Sequence, residues 1–416
     1  MINFPTSFLS FFIFGLWTCS AVHAKPLKVY VLCGQSNMEG HAKISTFEAM
    51  STDPLTKPVL KEMVDEKGNP VVCDQVWISY FTGGRDNMGE GFGKLTAGFG
   101  SRRDPAQASD RIGPEFTFGI YMQKGSKEPV LIIKTAWGGK SIHTDFRPPS
   151  AGPYPFSEKE LENLKKRGKN LKEVKAEKAE QTGRFYRLMI EHVRRVLKDV
   201  KRVYPGYDSK DGYEIAGFAW FQGWNDMVAS GTYPNRGQPG GYDAYSECLA
   251  HFIRDVRKDL KAPDMKFVIG VMGVGGPLDK YASPRYVPIH GSFRAAMAAP
   301  ASLPEFKGNV MAVPTAPFWD MRLQKLEDKQ GKVKQMAGFL KSKHKDHPNK
   351  DGSMDAQAQK TYLDKYRRKL ISEEDESYAK LARSNAAYHY FGSAKTMARI
   401  GKAFAEAMIE MEKQVR

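Results

Sequence analysis

Five short runs of apolar and β-branched residues recur along the chain, at residues 27–33, 130–136, 215–221, 267–274 and 310–313. Four of them are nearly continuous rather than alternating in polarity, which is typical of strands buried on both faces of a sheet. Helical patterns lie between them, and the clearest one has apolar residues spaced by three and four positions, at Phe185, Met189, Val193, Val196 and Val200. Strands separated by helices predict a three-layer α/β/α fold with a central, mostly parallel five-stranded sheet.

Two segments differ from this core in composition. Residues 158–202 contain 15 basic and 8 acidic residues, and residues 320–383 contain 16 basic and 11 acidic residues, in a chain whose formal net charge is +16. We predict basic helical insertions at about 150–205 and 318–384 within one domain that extends from residue 25 to 416. They form either a solvated helix face or a binding patch.

A basic chain of this kind suits nucleic acid, a membrane surface or an acidic polysaccharide as partner. The charged segments have no interleaved aromatic residues and no known nucleic-acid-binding motif, so nucleic acid is not expected. An acidic glycan is the partner that the charge favours.

The first 24 residues contain no Lys, Arg, Asp or Glu, and their apolar run at residues 8–17 is too short to cross a bilayer. The run ends in Ala21-Val22-His23-Ala24, so residues 1–24 are predicted to be a secretory signal peptide. The alternatives are a membrane anchor and a lipid-attachment site at Cys19. No later segment is long and apolar enough to cross a membrane, and we expect a secreted or periplasmic protein.

Cleavage after residue 24 leaves Cys33, Cys73 and Cys248, which is an odd number of cysteines. A disulfide between Cys73 and Cys248 is permitted but not indicated by their spacing. Cys33 lies in the first apolar run and is expected to be a small buried core residue.

The first apolar run ends in Gly34-Gln35-Ser36-Asn37-Met38. A buried strand that stops at a glycine and is followed by a serine places the hydroxyl at the carboxyl edge of the sheet, where open α/β folds bind ligands. Ser36 is therefore a candidate nucleophile. The alternative is a strand-to-helix turn with a capping serine.

A neutral serine hydroxyl is a weak nucleophile and needs a base, normally a histidine. His389 lies between two tyrosines, directly before an amphipathic stretch at residues 397–408. A loop between the last strand and the last helix can bring this histidine over the same sheet edge. A structural histidine packed between aromatic residues is the alternative.

An acyl-transfer site also needs hydrogen-bond donors for the oxyanion, each of which contributes on the order of 100- to 1000-fold in rate. The pair Gly138-Gly139 follows the second predicted strand, and Gln222 and Asn225 follow the third. These residues are candidate donors, and ordinary turn chemistry is the alternative for each segment.

In order and spacing, the segments around Ser36, Gly139, Asn225 and His389 resemble the signature blocks of the SGNH hydrolase superfamily. The branch they are most similar to is the sialate O-acetylesterase-like carbohydrate esterases. The resemblance extends from about residue 27 to 407, with the basic segments as insertions. It implies an α/β/α serine esterase that removes O-linked acetyl groups from a carbohydrate, without metal or organic cofactor.

The resemblance implies specific roles for the candidate residues. Ser36 would be the nucleophile, and His389 the general base and then the general acid. The oxyanion hole would consist of the backbone amides of Ser36 and Gly139 and the side chain of Asn225, with Gln222 as an alternative third donor. Arg147 could contact a polar or anionic sugar group, and a structural role for it is equally compatible with the sequence.

Two positions depart from the family pattern. Trp224 stands where relatives often have a Glu, and Ala386 stands where the family has the Asp that orients the histidine. In a full triad, loss of that carboxylate costs roughly four decades in turnover. Either another acceptor such as Asp226 or a backbone carbonyl serves His389, or the enzyme uses a Ser-His dyad, or it is a poor catalyst.

The sequence thus predicts an exported serine esterase that deacetylates a carbohydrate. Two alternatives stay open: a glycan-binding protein on a degenerate esterase scaffold, and a serine esterase that acts on non-sugar esters.

Overall fold

The computed structural model describes Met1 and residues 26–84, 86–126 and 128–414. The predicted signal peptide at residues 1–24 lies outside the described residues except for Met1, as does Cys19. It stays a prediction.

The chain folds around one large sheet. The strands of the described ranges are β1 (Leu27–Gly34), β2 (Ala42–Lys43), β3 (Val76–Thr82), β4 (Gly89–Lys94), β5 (Arg111–Ile112), β6 (Val130–Ala136), β7 (Tyr213–Phe221), β8 (Lys266–Val271) and β9 (Val310–Pro314). Seven of these strands form a sheet in the order β4-β3-β6-β1-β7-β8-β9. Adjacent strands of this sheet run parallel, except β3 and β4, which are antiparallel to each other. β2 pairs with β5 in a separate antiparallel ribbon.

The α/β fold with a mostly parallel central sheet is confirmed, and all five predicted strands are present. The predicted count of five is wrong, because β3 and β4 extend the sheet at one edge. β4 has the sequence GEGFGK, which contains no apolar run. β3 has the sequence VWISYFT, an apolar and aromatic run interrupted at Ser79, whose buried hydroxyl hydrogen-bonds with Glu90 and His192. The apolar pattern could therefore reveal β3, which the sequence analysis missed, but not β4.

Helices fill the connections and cover both faces of the sheet. They are α1 (Ser36–Glu39), α2 (Glu48–Ser51), α3 (Lys57–Met63), α4 (Glu115–Ser126), α5 (Glu158–Lys166), α6 (Leu171–Gln181), α7 (Arg184–Lys198), α8 (Trp224–Val228), α9 (Asp243–Asp259), α10 (Val287–Ala298), α11 (Met321–Lys341), α12 (Ala356–Leu370), α13 (Glu373–Ala382) and α14 (Ala394–Lys413).

The central strand β7 shows how the three layers meet. Successive side chains of a strand point to opposite faces of the sheet. Phe218 packs against Phe252 of α9, whereas Phe221, on the other face, packs edge-on against Phe404 of α14. Both faces of β7 are therefore core, which explains its continuous apolar sequence.

The two basic segments are largely helical. They contain α5, α6 and α7, and α11, α12 and α13. In the fully described helices α6 and α12 no side chain is buried. α6 and α12 thus contribute little to the core, whereas α7 packs Met189 and Val193 into it. The predicted insertions and the domain boundaries stay a prediction.

Cys33, Cys73 and Cys248 are buried free thiols, so the permitted disulfide between Cys73 and Cys248 does not form. Among the helices that the structure describes, none combines the length and the apolar character needed to cross a membrane.

A buried ion pair supports the sheet below α1. The ammonium of Lys134, on β6, lies 2.7 Å from the Glu115 carboxylate, and both side chains are fully buried. It also donates to the carbonyl oxygens of Glu39, at 2.9 Å, and Phe99, at 2.7 Å. Three acceptors thus match its three protons. Burial lowers the pKa of Lys134, and the Glu115 carboxylate opposes that shift.

We expect Lys134→Met to lower the free energy of unfolding by about 3–5 kcal/mol, because the Glu115 carboxylate stays buried without its partner. Urea denaturation measures the loss. The double variant Lys134→Met/Glu115→Gln should recover a large part of it. As a control, Lys28→Met removes the more exposed pair with Glu214 and should cost no more than about 1 kcal/mol. A similar small cost for Lys134→Met would contradict the role of the buried pair.

Candidate active site

Ser36 is the first residue of α1 and is separated from the carboxyl end of β1 by Gln35 alone. The strand leaves the sheet at Gly34, where a Cβ atom would lie 2.1 Å from the carbonyl oxygen of Phe221 on β7. Only glycine fits this approach of β1 to β7. Ser36 is 9% exposed, so it is largely shielded from solvent.

The side chain of Gln35 joins the ends of β1 and β7. Its Oε1 accepts hydrogen bonds from the backbone amides of Gly223 at 3.0 Å and Asn225 at 3.4 Å, and from Gln222 Nε2 at 3.2 Å. Its Nε2 donates to Asn225 Oδ1 at 3.0 Å. Because the oxygen of the Asn225 amide is used in this way, its Nδ2 remains as the donor that an oxyanion hole requires.

The glycine pair after β6 lies against Ser36. The amide of Trp137 donates to the carbonyl oxygen of Gly34 at 3.2 Å, which brings this turn to the end of β1. A Cβ atom on Gly138 would lie 3.9 Å from Ser36 Cβ and 3.3 Å from Glu39 Oε2. Gly139 has a φ of +72° and open space around it, so a substrate can approach its backbone.

Gln222 does not fit its predicted role as the alternative oxyanion donor. Its Nε2 lies within hydrogen-bonding distance of three acceptors: Gln35 Oε1 at 3.2 Å, the Lys140 carbonyl oxygen at 3.0 Å and Asp226 Oδ2 at 2.6 Å. An amide nitrogen has two protons, which these acceptors already occupy. Gln222 is instead a structural link between the loops that follow β6 and β7.

Asp226 does not orient His389, contrary to one of the predicted options. Its carboxylate is fully buried and accepts hydrogen bonds from the backbone amides of Ile142 and His143 and from the Tyr233 hydroxyl. Burial raises the pKa of Asp226 to about 6, and these hydrogen bonds act against that rise. The carboxylate therefore fixes the loop that carries Gly139.

His389 lies in a short helical segment, Ala387–Gly392, that the fold anchors over the same sheet edge. Asn37 Nδ2 donates to the carbonyl oxygen of Tyr388 at 3.1 Å, which ties the residue before His389 to the residue after Ser36. On the other side, the Tyr390 hydroxyl accepts from the amide of Gly273, just after β8, at 2.7 Å. The structure thus brings the segments of Ser36 and His389 together.

The acceptor for His389 is an amide rather than a carboxylate. Asn385 Oδ1 lies 3.0 Å from His389 Nδ1. A proton on Nδ1 leaves the lone pair on Nε2, which is the tautomer that a general base needs. Sequence reasoning missed Asn385 because it looked for a carboxylate at position 386; the available signal was an asparagine one residue earlier.

A second histidine that sequence reasoning missed packs on the first. The imidazole rings of His41 and His389 stack with centroids 3.9 Å apart and planes 7° apart. Burial first, and then His41, lower the pKa of His389 to about 3. His389 is consequently neutral at neutral pH and available as a base. His41 Nε2 in turn lies 3.7 Å from Glu39 Oε2.

Arg147 is used for structure. Its guanidinium donates to the carbonyl oxygens of Gly152 at 2.9 Å, Ala151 at 2.7 Å and His143 at 3.5 Å. These contacts close the loop after β6 upon itself. The structure supports the structural alternative for Arg147 and not the predicted contact with substrate.

A mostly parallel sheet, with a serine at the start of the helix that follows its first strand, is the arrangement that the resemblance to SGNH hydrolases implies. Residues 99–287 match the family model described as carbohydrate esterase, sialic acid-specific acetylesterase. This match confirms the resemblance that the motifs indicated. It includes Gly139 and Asn225, whereas Ser36 and His389 lie outside the matched range.

Solved structures similar to the chain include three proteins. One is a protein from Arabidopsis thaliana, with 15% identity, a TM-score of 0.35, and coverage of 70% of this chain and 86% of that one. A carbohydrate acetylesterase from Xanthomonas citri has 13% identity and a TM-score of 0.39 over 70% of this chain and 50% of that one. NanS has 12% identity and a TM-score of 0.36 over 71% and 79%. No curated protein matches the chain.

The Asn385 contact predicts a dependence of hydrolysis on this side chain. We expect Asn385→Ala to lower kcat/KM for 4-nitrophenyl acetate by roughly 100-fold, because the imidazole of His389 loses its fixed orientation. Asn385→Asp should keep the orientation and raise the pKa of His389, since a nearby carboxylate favours the imidazolium. The acid limb of the kcat/KM profile of Asn385→Asp should then move to higher pH.

The matched control for these variants is Asn349→Ala. Asn349 is also buried and hydrogen-bonded, between α11 and α12, and its loss should leave kcat/KM unchanged below the melting temperature. Equal kcat/KM values for Asn385→Ala and the wild type would contradict the role of Asn385.

The low pKa of His389 predicts the shape of the wild-type pH profile. Activity requires the neutral imidazole, and kcat/KM reports the pKa of the free enzyme. With that pKa at about 3, His389 itself should cause no loss of kcat/KM as the pH falls from 7 to about 5. Asp226, whose pKa is about 6, titrates in this range, so the profile is compared with that of Asp226→Asn. A half-maximal point near the ordinary histidine pKa, about 6.5, that persists in Asp226→Asn would show that His389 is not the buried base described above.

Proposed function

We propose that this protein is a serine esterase that removes O-acetyl groups from carbohydrates, with Ser36 as nucleophile and His389 as general base. The observation that carries the proposal is the joint anchoring of the two residues. Asn37, next to Ser36, holds the backbone of Tyr388, next to His389, and Asn385 sets the tautomer of the histidine. The family match over residues 99–287 supports a carbohydrate ester as substrate.

In the proposed mechanism Ser36 Oγ attacks the acetyl carbonyl carbon while His389 Nε2 takes its proton. The backbone amides of Ser36 and Gly139 and the side-chain Nδ2 of Asn225 donate to the oxyanion. When the tetrahedral intermediate collapses, His389 returns the proton to the departing sugar oxygen. Water, activated by His389, then hydrolyses the acetyl-serine and releases acetate and free Ser36.

We further propose that residues 1–24 direct export and that the mature domain, from residue 25 to 416, acts outside the cytoplasm as a secreted or periplasmic enzyme. The exposed basic helices would contact an acidic glycan in addition to the substrate. Helix α12 supports this idea, because it ends in Arg367, Arg368 and Lys369 and buries no side chain. Such a contact would weaken as salt concentration rises.

The test is hydrolysis of 4-nitrophenyl acetate and of acetylated oligosaccharides by the mature protein. We expect Ser36→Ala and His389→Ala each to lower kcat by roughly 1000-fold or more, because either change removes the activated nucleophile. Ser150→Ala is the matched control: the Ser150 hydroxyl also lies 2.8 Å from a histidine nitrogen, of His251, but neither residue belongs to the segments that carry Ser36 and His389. It should keep full activity.

The outcomes separate the alternatives. Undiminished hydrolysis by Ser36→Ala would overturn the proposal. Glycan binding without turnover by the wild type would favour a binding protein on an esterase scaffold. Turnover of 4-nitrophenyl acetate without any release of acetate from oligosaccharides would favour a non-sugar ester as substrate.

A further inference from the structure

The second basic segment begins and ends beside the turn that carries His389. This segment, residues 320–383, contains α11, α12 and α13, and we call it the helical segment. Just before it, the ring of Trp319 packs on the ring of Phe391, with centroids 4.8 Å apart. Just after it, the chain passes within two residues to Asn385, the acceptor for His389 Nδ1. The helical segment is therefore attached to the core at the turn of the proposed base.

The turn itself, residues 384–392, has a backbone that needs support, and we call it the histidine turn. Tyr390 and Phe391 have φ angles of +51° and +58°, in the left-handed region that residues with a side chain rarely adopt. The amides of Ser384 and Asn385 both donate to the carbonyl oxygen of Phe391 at 2.9 Å, which closes the turn. A strained conformation of this kind persists only where the surrounding structure determines it.

Arg383, the residue that follows α13, connects the helical segment with the histidine turn. Its Nε donates to the backbone carbonyl oxygen of Asn385 at 3.2 Å, and its Nη1 donates to Glu327 Oε2, on α11, at 2.6 Å. Its guanidinium also lies over the ring of Phe391, 5.3 Å from the centroid. The rigid fork of one guanidinium thus joins α11 to both ends of the turn.

The position of the Asn385 backbone decides whether its side chain can reach the histidine. Asn385 Oδ1 lies 3.0 Å from His389 Nδ1 and also accepts from the amide of Ala386 at 2.7 Å. Hydrogen bonds weaken steeply as their distance and angle depart from the optimum. A small shift of the Asn385 backbone would therefore separate Oδ1 from the imidazole.

Stability alone does not explain how Arg383 is used. The side chains of Arg383 and Glu327 are 27% and 35% exposed, and an ion pair that solvent reaches contributes little to the free energy of unfolding. The guanidinium nevertheless divides its donors between this pair and the Asn385 carbonyl. That division places a charged donor, held by α11, on the residue that orients the proposed base.

We propose that Arg383 is a positioning residue for His389, acting through Asn385, and that the helical segment thereby supports the catalytic base. This inference rests on the proposed function, in which His389 is that base. The physical reason is the choice of acceptor. A carboxylate attracts an imidazole N–H by its charge, whereas the neutral amide of Asn385 makes a weaker hydrogen bond and depends more on an exact position.

The first experiment is a double-mutant cycle on the hydrolysis of 4-nitrophenyl acetate. Arg383→Met should lower kcat/KM by about ten-fold in the wild-type background, because the acceptor of His389 is misplaced. In the Asn385→Ala background the same change should lower kcat/KM by less than about two-fold, because the group through which Arg383 acts is already missing. Losses that multiply independently would overturn the inference.

The matched control is Arg322→Met. Arg322 lies on α11, and its ion pairs are with Glu374 and Asp375 of α13. It joins the same two helices as Arg383 does but does not reach the histidine turn. Arg322→Met should leave kcat/KM unchanged. A loss equal to that of Arg383→Met would mean that the general integrity of the helical segment matters, and it would overturn the specific role of Arg383.

The second experiment observes the imidazole directly and does not depend on turnover. Proton–nitrogen correlation spectra of protein labelled at its histidine nitrogens show which ring nitrogen carries the proton, and His389→Ala assigns the signals of His389. At neutral pH we expect the Nδ1–H tautomer in the wild type and in Arg322→Met. In Arg383→Met we expect a mixture of both tautomers, since the acceptor no longer selects one of them.

The tautomer separates this inference from the proposed function. An unchanged His389 tautomer in Arg383→Met overturns the inference, whether or not the protein hydrolyses esters. A changed tautomer in Arg383→Met, together with undiminished hydrolysis by His389→Ala, would contradict the proposed function and still support the connection from Arg383 to His389.

Discussion

The candidate site depends on one buried amide side chain, that of Gln35. Parallel strands end at the same edge of a sheet, but the loops beyond them have no ladder hydrogen bonds to fix their spacing. Gln35 supplies this missing connection, because its oxygen accepts from the loop after β7 and its nitrogen donates to Asn225. An unpaired buried amide is costly, so Gln35 and the β7 loop each hold the other in place. Ser36 follows Gln35 directly and takes its position from this constraint.

Two buried charges extend the constraint to the loop after β6. Asp226 is stable as a buried carboxylate because backbone amides and side chains surround it with donors. Lys134 is stable beneath α1 because it meets three acceptors. Each group requires its partners to stay within hydrogen-bonding distance, and those partners belong to the segments that carry Gly139 and Ser36. An isolated buried charge is unfavourable because it is desolvated. Each of these groups therefore keeps its partners in place, and this makes the geometry of the site rigid.

Sequence reasoning identified what local pattern determines. Apolar runs revealed five strands, of which β9 is a partly buried edge strand, and Gly34 revealed the sharp exit from β1. The pattern could not reveal β4, whose glycines carry no periodicity. The roles of Gln222 and Arg147 were left with alternatives in the sequence. The role of Gln222 depends on contacts between distant segments, because the carbonyl of Lys140 and the carboxylate of Asp226 use up its protons, and this is visible only after folding. Arg147 bonds to carbonyl oxygens of its own loop, and such contacts leave no pattern in the sequence. Asn385 was missed for a chemical reason, since an amide oxygen orients an imidazole as a carboxylate does without the negative charge.

That absence of charge bears on the reaction that the site favours. Burial and the stacked His41 penalise the imidazolium form of His389, and Asn385 adds no anion that would restore it. In the proposed reaction, such a base would remove the serine proton less readily, but the imidazolium it becomes would be a stronger acid and would protonate the departing oxygen more readily. A sugar hydroxyl is a poor leaving group unless it is protonated as it departs. The neutral Asn385-His389 pair therefore matches esters of alcohols, in which departure is the difficult step, better than activated esters, in which it is not.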